Sequence, residues 1–382
     1  MKRKKLVLIG PAYPYRGGNS LFMNHLHEAL STDFDILFIN FKLMYPSLLF
    51  PGKTQYDVSA SHYNELKTER LINSINPFSW IKTAKRINAF NPDMIVFDWW
   101  QPYFGLCYRG IQTFLSKENR KKKLFIMENF ISHEGRFIDK YLTHLAIKDV
   151  HRFIALSQKV INELEAAEGK KKVYKSELPI YSFYKKDTTE THDLLKQQMG
   201  ISKDDKVLLF FGYVRKYKGL DILIETLQLL LQKDSHYKLL VAGEFYDDPK
   251  EYFDLIERTK TKDHIILRNE YIPNEEVAQY FEVSDMVVLP YRNGTQSGIM
   301  NMAYGNNKPV IATNVGGLAE FIDEDRTGVI VNEISPEAIA AGIEKFYVLK
   351  TAVDFESNIQ QRSSHNSFNS IANLFKTILN DL

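Results

Sequence analysis

Short apolar runs alternate with stretches of helical periodicity along nearly the whole chain. In the first half the strand-like runs are residues 6–9, 36–39, 94–97, 124–127 and 153–156, and between them 21–30, 80–89 and 160–166 are amphipathic with a helical period. The second half repeats the plan. Strands are predicted at 207–211, 239–242, 265–267, 286–289, 310–312 and 329–331, and helices near 220–232, 251–259, 275–281, 299–304 and 336–349. Short apolar strands joined by helical crossovers imply a parallel sheet covered on both faces. The seam is residues 181–198, polar and poor in aliphatic side chains, before a fresh strand begins at Val207. A last helical stretch, 371–379, follows a polar segment, 357–369. The expected fold is therefore α/β, with two Rossmann-like doubly wound domains facing each other across a cleft. Residues 1–183 form the first and 184–367 the second, with 368–382 returning to the first. In such sheets ligands sit at the carboxyl ends of the strands.

Composition changes this picture little. A chain of 382 residues with 44% hydrophobic and 25% charged side chains is an ordinary two-domain length and balance. No apolar run is long enough to span a bilayer, and the run after Lys2-Arg3-Lys4-Lys5 stops at Gly10-Pro11, too soon for a signal peptide. The one cysteine, Cys107, forms no internal disulfide, and no Cys/His cluster points to zinc. The expected location is the cytoplasm, including the inner face of the cell membrane.

Charge changes it more. Residues 1–186 hold 29 Lys and Arg against 17 Asp and Glu, a net +12, and the remainder is net −10. Local clusters run from Arg120 to Lys123 and from Lys170 to Lys172 with Lys175. Apolar and aromatic residues stand in predicted loops at 41–51 and 77–80. Two readings stay open. Leu48, Leu49 and Phe50 pack into the core, or they are exposed tips that, with the basic half, suit an anionic membrane. No nucleic-acid-binding module or aromatic-basic repeat is present.

The candidate chemistry lies in four loops that leave predicted strands. The first, residues 10–20, brings Gly17-Gly18 to a helix start, where backbone can pass close to an anion. Its glycines lack the dinucleotide-binding spacing, and Asn40 stands where such a site has an acid, which argues against a nicotinamide enzyme. The second, 210–220, places Arg215, Lys216 and Lys218 before Gly219, with Arg215 offering a planar fork and Lys218 a compact charge. The third reads Asn293-Gly294-Thr295-Gln296-Ser297-Gly298-Ile299, and the fourth runs from Thr313 through Gly316-Gly317 to Glu320. Any one loop reads as a turn; four at corresponding strand ends read as a diphosphate-binding cleft.

These loops, in this order, resemble the large retaining GT-B glycosyltransferase family, the group-one sugar transferases. The likeness is strongest from Phe210 to Glu320, including Lys218-Gly219, Lys308-Pro309-Val310-Ile311-Ala312 and Gly316-Gly317 followed by Glu320. The resemblance implies that Arg215 and Lys218 bind the donor diphosphate and that Gly17 and Gly18 approach the same group. It puts Tyr271 and Ile272 at the nucleobase, and Glu244, Gln296, Ser297, Gly298 and Ile299 in the donor site. Phe368 marks the point where the last helix crosses back to the first domain. Most members carry two glutamates seven residues apart around the third loop; residues 294–303 hold no acid, so the chain looks like a Thr-Gln-Ser-Gly subset in which Gln296 and Ser297 take over. Where many members have a histidine after the fourth predicted strand, this chain has Glu128-Asn129, with His133-Glu134 slightly later. Glu128 and His133 are both candidates for the acceptor side.

The implied reaction moves a sugar from a UDP- or GDP-linked donor to a glycan or lipid-linked acceptor, with retained configuration. Fixed cations and amides stabilise the leaving phosphate. No cofactor or metal is expected, because no Asp-x-Asp pair stands where a metal would bridge the diphosphate. A sugar-nucleotide epimerase of the same fold and a non-catalytic sugar-nucleotide-binding partner remain as alternatives.

Overall fold

The computed structural model describes residues 3–50, 52–59, 66–130, 137–169, 171–181, 192–246 and 248–381. The chain divides into two units, 1–179 with 367–382, and 180–366. His133 and Glu134 lie outside the described residues.

The first unit is built on a parallel sheet of seven strands: β1 (Lys4–Ile9), β2 (Phe34–Leu43), β3 (Glu69–Asn73), β4 (Met94–Trp99), β5 (Lys123–Met127), β6 (Arg152–Ala155) and β7 (Lys172–Lys175). Their spatial order is β3-β2-β1-β4-β5-β6-β7. Crossovers run through α1 (Gly18–Ser31), α2 (Pro77–Phe90), α3 (Gly105–Thr113), α4 (Phe137–Ile147) and α5 (Gln158–Glu168). Central strands carry apolar residues on both faces because both are covered: Leu6, Val7, Leu8 and Ile9 are all fully buried. One face is unusually aromatic. Phe97 stacks on Phe125 at 4.8 Å, and Tyr108 of α3 meets Phe97 at 5.2 Å and Trp99 at 6.1 Å.

The second unit has six parallel strands: β8 (Lys206–Phe211), β9 (Tyr237–Ala242), β10 (Ile265–Arg268), β11 (Met286–Leu289), β12 (Val310–Thr313) and β13 (Gly328–Val331). Their order is β10-β9-β8-β11-β12-β13. Helices are α6 (His192–Gln198), α7 (Leu220–Leu231), α8 (Lys250–Thr259), α9 (Asn274–Glu282), α10 (Gly298–Gly305), α11 (Pro336–Leu349) and α12 (Phe355–Ser363). The last of these occupies part of the polar segment expected to precede the final helix; it is capped by Asp354 and held to the core through buried Phe355 and Ile359.

The final helix, α13 (Phe368–Asn380), packs in the first unit against α1. Phe368 sets its ring 6.0 Å from Phe22 and 5.2 Å from His25, and Lys172 pairs with Asp381 at 2.8 Å.

Both sheets reverse direction of winding once, between β1 and β4 in the first unit and between β8 and β11 in the second. Loops leaving neighbouring strands at such a reversal splay to opposite faces, which opens a crevice at the carboxyl edge.

Candidate functional site

In the second unit the loops that leave β8 and β11 meet. Gly219 caps α7 with φ 74°, and a Cβ there would lie 2.0 Å from the Pro290 carbonyl oxygen, so only glycine lets the two loops touch. The contact is reinforced by Arg292. Its amide donates to the Tyr217 carbonyl at 2.7 Å, and its guanidinium donates to Asp221 through two nitrogens at 2.8 and 2.7 Å and to the Lys216 carbonyl at 2.9 Å. This bidentate pair fixes the basic loop to the start of α7.

Lys218 lies inside that frame. It is buried, and its ammonium stands 5.9 Å from the Tyr291 ring and within reach of Gly212, whose hypothetical Cβ would lie 3.4 Å from Nζ. Burial, then the Arg215 charge nearby, pull its pKa down to about 8. Two cations kept together at a strand end form a place for an anion. Arg215 is half-buried and rests on the Tyr246 ring at 5.1 Å.

The third loop closes the same region. Ser297 caps α10 and accepts from the Met300 amide, while its hydroxyl lies 3.4 Å from that of buried Tyr291. Gly298 opens the helix with nothing within 4 Å of its Cβ position. Ile299 approaches Gly212, where a Cβ would be 3.0 Å from its Cδ1. Gln296 keeps its Oε1 buried without a protein partner. Gly316 of the fourth loop, at φ 58°, packs on Gly294: a Cβ would fall 1.5 Å from that carbonyl oxygen. Glu244 is buried after β9, and its carbonyl accepts from the Val214 amide. Tyr271 and buried Ile272 follow β10. The second unit thus brings Arg215, Lys218, Gln296, Ser297, Gly298 and Ile299 to the edge where its sheet reverses. A cavity of about 690 Å³ lined by Asp285, Lys308, Lys350 and Glu356 lies at the opposite, amino-terminal edge of β11 and β12.

The corresponding edge of the first unit has another character. Gly17 precedes α1 with φ 110°, no side chain caps that helix, and no acid stands in its first turn. Gly17 and Gly18 both have open space around their Cβ positions. Such a helix start favours negative charge. Asn40, at the position that argued against a nicotinamide site, holds the loop after β1: it accepts from the Ala12 amide and donates to the Ala12 and Tyr13 carbonyls at 3.0 and 2.9 Å.

Across the reversal stands a residue the sequence reading passed over. Asp98, on β4, is fully buried beside Glu128, which follows β5. Two buried carboxyl groups this close resist ionising together. Burial, then the neighbouring Glu128, push Asp98 well up. Burial pushes Glu128 up to about 7, opposed by hydrogen bonds from Asn19 and Asp98. Gly10 lets α1 close over the pair: a Cβ there would be 3.0 Å from Asp98 Cβ and from Met23 Cε. Asn19 ties Glu128 to the first turn of α1, beside Gly17 and Gly18.

The two doubly wound sheets, with these loops at their reversal points, define the GT-B fold of glycosyltransferases. Within it, residues 192–362, nearly all of the second unit and just under half of the chain, match the family model of the glycosyl transferases group 1. Curated relatives match over part of their length. An uncharacterized glycosyltransferase of Methanocaldococcus jannaschii is 25% identical over 194 residues, 50% of this chain and 48% of that protein. A D-inositol 3-phosphate glycosyltransferase of Corynebacterium aurimucosum is 28% identical over 167 residues, 42% of this chain and 39% of that protein. The chain spans about half or less of these relatives' length. Among solved structures, Anabaena HepE in complex with UDP-glucose superposes with a TM-score of 0.78 at 17% identity, covering 99% of this chain and 100% of that one.

Proposed function

We propose that the protein is a retaining glycosyltransferase that takes a sugar from a UDP-linked donor and gives it to a glycan or lipid-linked acceptor. The observation that carries this reading is the caged cation pair: Arg215 and buried Lys218 at the β8/β11 reversal, inside the segment that matches the group 1 model. The choice of UDP over GDP draws on the UDP and UDP-glucose complexes of HepE.

The bond that breaks joins the anomeric carbon to the β-phosphate oxygen of the donor. Negative charge grows on that oxygen as it leaves. Lys218 is already desolvated and Arg215 rests on the Tyr246 ring, so they stabilise this charge with little reorganising at the moment of reaction. Amides around Ser297 and Gly298 add partial positive charge at the start of α10. The Thr-Gln-Ser-Gly loop carries no carboxylate that could act as nucleophile, which favours attack by the acceptor hydroxyl on the face that the phosphate leaves. The departing phosphate takes the hydroxyl proton, and configuration is retained. Gln296 receives a sugar hydroxyl. In the first unit, Glu128, held by Asn19 and Asp98, orients the acceptor. His133 is a second acceptor-side candidate. No metal or cofactor is required by this chemistry, and the reaction is assigned to the cytoplasm and the inner face of the cell membrane.

The test is a screen of UDP-, GDP- and ADP-sugars by thermal shift, then NMR of the product. A ligand at one hundred times its Kd should stabilise the fold by about 2.7 kcal/mol. Selective stabilisation by a UDP-sugar and an axial or equatorial linkage matching the donor supports the proposal. Donor binding without turnover over a broad acceptor panel would replace the enzyme reading with a binding one, and release of an epimerised sugar would make it an epimerase.

A further inference from the structure

The first unit exposes apolar side chains on the loops that leave β2 and β3. Leu48 is 94% exposed, Leu49 57%, Ile75 58% and Phe78 81%. These residues are far apart in sequence but rise from one base. Tyr45, just before Leu48, packs its ring 5.2 Å from Tyr103, and Tyr103 shares a hydrogen bond of 3.1 Å with Ser74, just before Ile75. The tips are held outward by structure beneath them. Gln55 exchanges hydrogen bonds with the Tyr45 backbone, which clamps the return of the loop to its start, and Phe50 turns back onto Tyr45 at 6.1 Å. Asn76 caps α2 by accepting from the Phe78 amide, while Trp80 tucks inward and donates to the Asn73 carbonyl at 2.8 Å.

The surroundings are basic. Residues 42–86 contain Lys42, Lys53, Lys67, Arg70, Lys82, Lys85 and Arg86 against Asp57, Glu65 and Glu69. Glu69 is taken by Arg86 at 2.7 Å. Lys82 and Lys85 are exposed and stand one and two turns beyond Phe78, on the same side of α2. An apolar tip with lysines along its stem is the arrangement of an interfacial anchor.

The basic cluster at Arg120 to Lys123 does not belong to this surface. Lys123 is buried and donates to Gln112 at 2.8 Å, and Lys122 pairs with Glu118 at 2.8 Å. The cluster precedes β5, at the amino-terminal edge of a parallel sheet, whereas the tips follow β2 and β3 at the carboxyl edge.

We propose that Leu48, Leu49, Ile75 and Phe78 enter the apolar layer of a bilayer while Lys53, Lys82 and Lys85 meet anionic headgroups. The occupant is lipid rather than protein because lysine is depleted in protein–protein interfaces and protruding tips bury little area against a flat partner. The assignment deepens the acceptor half of the proposed function: a lipid-linked acceptor would be met at the edge of the sheet that holds Glu128.

The experiment is co-sedimentation of the full chain with phosphatidylcholine vesicles, with and without phosphatidylglycerol, over a salt series. It uses neither donor nor acceptor, so its failure is separate from failure of the transferase reading. The wild type should bind the mixed vesicles more tightly. Lys82→Gln/Lys85→Gln should lower that partition roughly 25-fold at low salt, about fivefold per lysine, with the gap closing as salt rises. Leu48→Ser/Phe78→Ser should lower it about tenfold or more with little salt dependence. Lys121→Gln/Lys148→Gln, the same charge change at the opposite edge, should bind like wild type, and melting temperatures confirm that all variants fold. In a separate variant, Phe78→Trp, the indole emission should shift blue and be quenched by brominated lipid. Binding that is unaffected by the tip and lysine variants, or lost equally in the opposite-edge variant, overturns the proposal. So does a dimer in gel filtration that Leu48→Ser/Phe78→Ser disperses while vesicles capture nothing, since a second copy would then cover the face.

Discussion

The two sheet reversals share a topology and differ in almost everything else. At β8/β11 the second unit gathers cations and glycines: Arg215, Lys218, Gly219 and Gly298. At β1/β4 the first unit buries an acid pair, Asp98 and Glu128, beneath an uncapped helix start. The fold provides the crevice in each, and the side chains decide its chemistry. In the proposed reaction the first would take the leaving diphosphate and the second the hydroxyls of an acceptor. Fold alone provides both crevices and identifies neither.

The largest expected effect breaks this comparison at its cationic end. Lys218→Ala should reduce kcat/KM for a UDP-sugar by roughly 30- to 1000-fold, or about 2–4 kcal/mol of transition-state stabilisation. The same change at the neighbouring exposed Lys216, which pairs with Glu251, should do little. If Lys218→Ala stays within threefold of wild type, the diphosphate does not sit there.

Both reversals hold a charge where burial opposes it, and the two should be opposite in their pH dependence. Glu128 ionises near pH 7 in the fold and near 4.5 in the open chain, so between those values the folded state holds more protons and stability falls as pH rises. Lys218 ionises near 8 in the fold and 10.5 in the open chain, so stability rises from pH 8 to about 10.5. Each span corresponds to roughly 3 kcal/mol at most. Glu128→Gln should gain on wild type as pH climbs from 5 to 7. Lys218→Met should be more stable than wild type at pH 7 and lose that advantage toward pH 10. Denaturant titration over this range checks both, and parallel curves for either variant would mean that the group is not buried as a charge.

Glycines sharpen the comparison, because some serve the fold and others leave room. Gly219→Ala forces a Cβ to 2.0 Å from the Pro290 carbonyl oxygen at φ 74° and should cost roughly 1–3 kcal/mol in stability. Gly298 faces open space, so Gly298→Val should fold with a nearly unchanged melting temperature while raising KM for the donor. A valine that leaves KM untouched marks a loop no ligand approaches.

The sequence made the strands legible wherever apolar runs are buried on both faces. It missed β3 and β7, edge strands in which only Ile72 is buried, because an edge needs no apolar run. It missed α3, whose two glycines weaken the helical signal and whose Gly110 is needed to seat Trp80: a Cβ there would lie 2.3 Å from that ring. The loops at 210–220 and 293–299 were readable because glycine and lysine between a strand and a helix are local signals. Asp98 was not read as functional although one carboxylate inside Ile95-Val96-Phe97-Asp98-Trp99 is a signal in itself. Its partner lies 30 positions on, and only the sheet brings them together. Arg292 and Asp221 escaped for the same reason, being joined by the contact of two loops.

The smallest expected effect separates sugar from nucleotide at the cationic reversal. The Oε1 of Gln296 is buried without a protein partner. A buried carbonyl oxygen left unpaired costs about 1–3 kcal/mol, part of which a sugar hydroxyl would return on binding. Gln296→Ala removes both the cost and the contact. It should leave the affinity for UDP unchanged and weaken UDP-glucose by about 1 kcal/mol, roughly fivefold, while the free protein becomes no less stable. Gln296→Glu restores an acceptor and should recover most of the UDP-glucose affinity, with a penalty for UDP from the added negative charge. Isothermal titration of both ligands against the three proteins reads the difference directly. Equal losses for UDP and UDP-glucose would mean that the side chain shapes the loop and never meets the sugar, leaving Ser297, Gly298 and the cation pair to bind the donor alone.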